Sequence, residues 1–265
     1  MNLVSMKEKI TCIVICACFA LCCTAGSVQA DESLNMIFQE GLLESKAGNF
    51  AKALETWNRF IDLAPENGVA YSNRGNVRLA LGDPEGAILD QQKAIELMPN
   101  ELDPHFNKGI AEESLQRWEE AEQDYKWILD RDAENASALY SLGWVDGSQG
   151  HWKEAAVLFN KAQIFESNFY GARLSKALAN YQLKEYAQAE SELRSIIRKY
   201  PMFVDCRAAL TALLWRQGFI GEAKSNWVAV VGLNNQYSQK AWLLESLRWP
   251  PDPFEDLLAF IDLTY

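Results

Sequence analysis

Six alanines, Ala53, Ala87, Ala121, Ala155, Ala189 and Ala223, follow one another at intervals of 34 residues. A period held through six units without insertion or deletion constrains a fold strongly. Each unit must be one supersecondary element that buries its apolar face against the next. Other positions keep the same register. Twelve residues before the alanines stand Gly41, Gly75, Gly109, Gly143, Ala177 and Thr211, and five before them Gly48, Gly82, Gln116, Gly150, Lys184 and Gly218. Three before come Phe50, Pro84, Trp118, Trp152, Tyr186 and Ile220; four after come Trp57, Gln91, Tyr125, Phe159, Leu193 and Trp227.

Physical chemistry turns this pattern into a helix pair. Helices cross closely only where the side chains at the contact are small, so the glycine of a first helix and the alanine of a second mark their crossing. The glycine five residues before the alanine supplies the turn. Pro65, Pro99 and Pro201 end the second helix where it cannot continue. Asp103 reads as a cap for the first helix of the third unit, with Pro104 in its first turn.

The pattern resembles the tetratricopeptide repeat family, across about residues 34–237. The resemblance implies an all-α fold: a right-handed α-solenoid of six helix-turn-helix units, at 34–67, 68–101, 102–135, 136–169, 170–203 and 204–237. Residues 238–265 leave the register and read as C-terminal capping helices, the last with Asp252 as N-cap and Pro253 as first helical residue. A tail folded back into its own groove is the sharper alternative.

The stretch around Asp146, Ser148 and His151, with glycines at 143, 147 and 150, superficially suggests a phosphate loop. Gly143 and Gly150 belong to the repeat, no Lys-Ser or Lys-Thr follows, and no strand precedes, so the stretch reads as architecture. His105 and His151 have no second His or Cys at ligand spacing, so no metal is expected. No residues cluster as a nucleophile and base, and about 28 residues follow the last unit, too few for a catalytic domain. The expectation is a non-enzyme without cofactors. Asn135 begins a glycosylation sequon that reads as an inter-repeat turn and cap.

Residues 1–30 stand apart. Lys7 and Lys9 precede an uncharged run from Ile10 to Gly26, and Val28 and Ala30 set a small-residue ending before Asp31. This matches a cleaved secretory signal peptide, with an uncleaved anchor through residues 10–26 as the rival. Five of the six cysteines lie inside it, leaving Cys206 without a partner for an internal disulfide. The net charge of −11 argues against nucleic acid or anionic lipid as a partner. The charge is also polarised: residues 34–169 carry 12 basic and 23 acidic groups, whereas residues 170–237 carry 9 and 5. Such a dipole orients a partner or promotes head-to-tail association.

The family resemblance implies that the first helices line a concave, partner-binding groove. The matching positions include Phe38, Leu42, Asn76, Phe106, Ile110, Tyr140, Trp144, Leu174, Leu178, Tyr181 and Trp215. Some members grip a terminal carboxylate with Lys, Arg and Asn; here Asn76 and Asn107 are suitably placed, but Ser72, Ser137 and Ser141 stand where bases are needed. An apolar or amphipathic protein segment is therefore the expected partner. The alternative is a self-assembling module joined through its charged ends and tail. The Arg248–Pro251 stretch, Arg-Trp-Pro-Pro, gives a second resemblance, to exported repeat proteins of photosynthetic bacteria and plastids. It implies a periplasmic or thylakoid-lumen location and a role in assembling or maintaining photosynthetic membrane complexes. Membrane contact would then come only through an uncleaved signal segment or a membrane-complex partner.

Overall fold

A computed structural model describes residues 33–264. The expected signal segment and its rival anchor reading lie outside these residues. The described residues are helical throughout, with no strand. Helix α1 covers 33–46. It is followed by α2 (Phe50–Leu63), α3 (Gly68–Ala80), α4 (Pro84–Leu97), α5 (Leu102–Ser114), α6 (Trp118–Leu129) and α7 (Ala136–Ser148). Then come α8 (Trp152–Phe165), α9 (Tyr170–Gln182), α10 (Tyr186–Lys199), α11 (Val204–Arg216) and α12 (Ile220–Leu233). A 3-10 turn (Asn235–Ser238) leads to α13 (Lys240–Ser246) and α14 (Pro251–Thr264). From α3 to α11 first helices start every 34 residues, and from α2 to α12 second helices do the same. The chain is an α-solenoid of helix-turn-helix repeats.

Every within-pair turn is built alike. Gly48, Gly82, Gly150 and Gly218 have φ between 77° and 86°, and the non-glycines Gln116 and Lys184 are held at 58° and 64°. The amide two residues beyond each first helix's last turn reaches back five residues: Asp83 N–H to Arg78 O, Arg117 N–H to Glu112 O and Glu185 N–H to Asn180 O, at 2.8–2.9 Å. The left-handed residue lets that bond close.

The first-helix glycines pack more finely than their small size alone suggests. A Cβ on Gly41, Gly75 or Gly143 would lie 2.7–2.8 Å from Trp57, Gln91 or Phe159 respectively, so the glycine faces the bulky residue four beyond the alanine. Gly147, which belongs to no repeat position, has its own reason: a Cβ there would meet the Trp152 ring at 2.5 Å. It is a packing glycine inside α7.

Three helix starts differ in detail from expectation or meet it. Helix α5 begins at Leu102, so Asp103 lies in the first turn instead of capping it. Helix α14 begins at Pro251, which likewise puts Asp252 inside the first turn, where a carboxylate meets the positive end of the helix. Asn135 does cap α7, its side chain accepting the Ala138 N–H at 3.0 Å.

Two compact units divide within α5, between Ala111 and Glu112. In the first, Trp57, Phe60, Ile61 and Val77 form the core, with Phe38 edge-on to both Trp57 and Phe60 at 5.2 Å. Asp90, 3% exposed, receives Arg74 through two bonds (2.6 and 2.8 Å) and Arg78 at 3.0 Å. In the second, Leu178, Tyr181, Leu193, Ile196, Leu213 and Trp227 share one buried cluster with Leu257, Phe260 and Ile261 of α14. Each such side chain contributes about 1.5–3 kcal/mol by leaving water. Cys206 is buried here too; its Sγ donates weakly to Leu193 O at 3.5 Å, and burial pushes the thiol up to about 12.

Candidate partner-binding groove

The first-helix face differs between the units. In the first unit, α3 and the start of α5 enclose a cavity of about 400 Å³. Val69, Ser72, Asn73 and Asn76 form one wall, Met98 and Glu101 the connecting loop, and Asp103, Pro104 and Asn107 the other wall. The polar groups are organised. Gln91, buried where the five other repeats carry an aromatic or leucine, donates from Nε2 to both Ser72 O and Asn76 Oδ1 at 2.9 Å. The Asn107 amide donates to Ser72 Oγ at 3.3 Å. Gln91 thus fixes which way Asn76 points, leaving its NH₂ to donate outward, because a side-chain amide carries both donors and an acceptor.

Of the predicted groove residues in this unit, Asn76 and Ile110 are exposed, and Phe106 is half-buried. Phe38 and Leu42 are half-buried against Trp57 and its neighbours, so much of their surface serves the core. Asn73 was not among the groove positions read from sequence. It stands one period before Asn107, so the 34-residue register carried its signal.

In the second unit the same face is covered by the chain's own tail. Helix α14 packs on α11 and, more lightly, on α9. Predicted groove residues Leu174, Leu178 and Tyr181 are buried, and Trp215 lies edge-on to Phe260 at 5.8 Å. Phe260 also reaches Trp227, 5.6 Å away. The Tyr181 hydroxyl donates to Asp256 Oδ2 at 2.8 Å, and Arg216 reaches Asp256 Oδ1 at 3.2 Å. Burial and the Asp256 charge raise the Tyr181 pKa, so it stays a donor. Gln182 Oε1 accepts the Asp252 N–H at 2.8 Å at the foot of α14.

Upstream of α14 the extended tail continues across the face. The Arg248 guanidinium sits 4.8 Å from the centre of the Trp144 ring and 2.6 Å from Glu113 Oε2. Tyr125 donates its hydroxyl to the other Glu113 oxygen at 2.6 Å. Trp144 is buried, while Tyr140 is half-buried among Phe159, Phe169 and Trp144. Ser137 is exposed and Ser141 half-buried. The pairing of Arg248 with Glu113 and of Asp256 with Tyr181 carried no sequence signal, since each depends on where the tail returns.

No group of three or more His, Cys, Asp or Glu among the described residues is placed to hold a metal ion. No helix among them is long and apolar enough to cross a membrane.

Helix-turn-helix units recurring every 34 residues define a repeat protein. Models of the tetratricopeptide repeat match residues 38–101 and 106–170, and a second such model matches 172–201. The chain belongs to the tetratricopeptide repeat family, whose members bind peptide or protein partners. Sperm-associated antigen 1A of Danio rerio is 37% identical over 101 residues, 35% of this chain; the chain spans about a quarter (24%) of that relative's length. Among solved structures, Pseudomonas aeruginosa pilF superposes with a TM-score of 0.66 at 18% identity, over 87% of this chain and 98% of that one. YrrB, described as a TPR protein with an unusual peptide-binding site, gives 0.54 at 18% identity, over 73% and 98%. At these identities the structures establish the fold.

Proposed function

We propose that this protein is a non-enzymatic scaffold that holds an extended segment of a partner protein in the cavity between α3 and α5. The observation that carries the reading is the set of three asparagines, Asn73, Asn76 and Asn107, lining that cavity, with Asn76 oriented by buried Gln91. Asparagine side chains both donate to and accept from a peptide backbone, so such a wall recognises main chain with little demand on sequence. Exposed Val69 and Ile110 give the segment apolar contacts beside the amides. The description of YrrB as peptide-binding supports the same use of the fold.

The compartment is an exported one, periplasm or thylakoid lumen, on the strength of residues 1–30. The partner in this reading is a subunit of a membrane complex, photosynthetic where the Arg248–Pro251 resemblance holds.

Photocrosslinking tests it. With benzoylphenylalanine in place of Val69, which lines the cavity beside the asparagines, a discrete partner adduct is expected in intact cells, and it should fade when Asn73 and Asn107 are both changed to Ala. No adduct from position 69 beside a normal yield of folded protein would sink the cavity as the docking site.

A further inference from the structure

We propose that the first-helix face of the second unit is a separate docking site, for a partner segment that carries a cation, then an acid eight residues later, then an amphipathic helical turn. The chain's own tail is a tethered competitor for that site. This inference does not depend on the cavity between α3 and α5.

Two matched clusters specify the ligand. At one end the face supplies a carboxylate, Glu113, held by Tyr125, and the tail supplies Arg248. At the other end the tail supplies a carboxylate, Asp256, and the face supplies Tyr181 and Arg216. Each cluster is a tyrosine hydroxyl, a carboxylate and an arginine, but the charges are exchanged between face and ligand. A segment laid backwards would set Arg216 against a cation and Glu113 against an acid, so the face accepts one direction. Just beyond the acid, Leu257, Phe260 and Ile261 occupy successive positions of one helical face and are buried.

Several observations separate this tail from a simple end cap. Tyr237 and Leu243, between α12 and α14, are already buried in the same core as Trp227 and Val230 of α12. Helix α14 instead takes the face that repeats of this kind offer to partners. Each anchor pairs a half-exposed arginine with a largely buried carboxylate, Arg248 (49% exposed) with Glu113 (9%) and Arg216 (46%) with Asp256 (12%), so a segment that displaces the tail must bring a matching charge to each. The tether keeps the tail at a high effective concentration, which a free partner must overcome.

The test uses the purified full chain and a fluorescein-labelled synthetic peptide of residues 246–264, titrated by fluorescence anisotropy. The wild-type protein should bind it weakly, because its own tail competes. Proteins carrying Arg248→Glu or Asp256→Arg should bind it on the order of tenfold more tightly, the tail having lost one anchor while the face is intact for the first variant and keeps Tyr181 and Arg216 for the second. Adding Glu113→Arg to the Arg248→Glu protein should re-close the tail, read as slowed hydrogen exchange across residues 251–264, a readout that does not depend on the peptide's own contact with Glu113. Equal affinity across these proteins, with unchanged thermal unfolding, overturns the proposal. So does sedimentation showing that the weakened variants pair by exchanging tails, which would assign the face to a second copy.

Discussion

Arg248 and Glu113 lie 135 positions apart in the chain and 2.6 Å apart in space, with the Arg248 guanidinium stacked above Trp144. That contact and the Tyr181–Asp256 hydrogen bond hold the two ends of one returning segment. Between them they decide how much of the second unit's first-helix face meets solvent.

Removing the far anchor should loosen α14 alone. Asp256→Ala leaves the buried Tyr181 hydroxyl without its acceptor, a loss of about 1–3 kcal/mol. Hydrogen exchange across residues 251–264 should accelerate while exchange in α10 stays as it was. Parallel acceleration in α10 would mean that α14 belongs to the cooperative core.

Two turns carry strain that glycine would relieve. Gln116 and Lys184 hold φ of 58° and 64° where four sister turns have glycine. Gln116→Gly and Lys184→Gly should each raise stability by about 0.5–1 kcal/mol, and Gly150→Ala should lower it by a similar amount. Urea titration measures all three.

The buried ion pair of the first unit should outweigh its surface counterpart. Arg74→Ala removes two charge-assisted hydrogen bonds from the Asp90 carboxylate, 3% exposed, and leaves Arg78 as its partner, and should cost about 1.5–3 kcal/mol. Arg59→Ala removes an exposed pair with Glu40 and should cost about 1 kcal/mol or less. Equal effects would refute the assignment of Asp90 as a buried charge held by Arg74.

Asp146 gives stability a pH dependence with a definite sign. Burial first, then the neighbouring Glu122 charge, raises its pKa above the usual aspartate range. A carboxyl with a raised folded pKa binds its proton more tightly folded than unfolded. Its unfavourable contribution is therefore absent below about pH 4 and grows as pH rises through the raised value. Asp146→Asn should stabilise the protein at pH 7 and make no difference at pH 3, as thermal unfolding at the two pH values would show.

Much of the architecture was legible before any coordinates. The six small residues at the first-helix crossing, the six turn positions and the second-helix alanines all read straight from spacing, because a repeat exposes each constraint several times over. Even Gln116 and Lys184 could be placed, since their register position demands the left-handed turn that their side chains disfavour. Gly147 could not be explained that way. Its neighbour is the Trp152 ring, and that proximity exists only once α7 and α8 have packed.

The groove divides along the same line. Its lining positions followed from the period, and Asn76, Trp144 and Tyr181 lie on first helices as expected. Their exposure did not follow. An apolar residue on a helix face reads identically whether water, a partner or a distant segment of the same chain covers it.

By itself the sequence determined the helix pairs, their turns and the family, because those rest on contacts between residues fewer than 34 positions apart, repeated in register. Tertiary structure alone decided that the tail returns to the first-helix face, through Arg248 on Glu113 and Asp256 on Tyr181, contacts 135 and 75 positions apart. Each such contact occurs once, so no repetition marks it in the sequence, and chain closure over that distance places it.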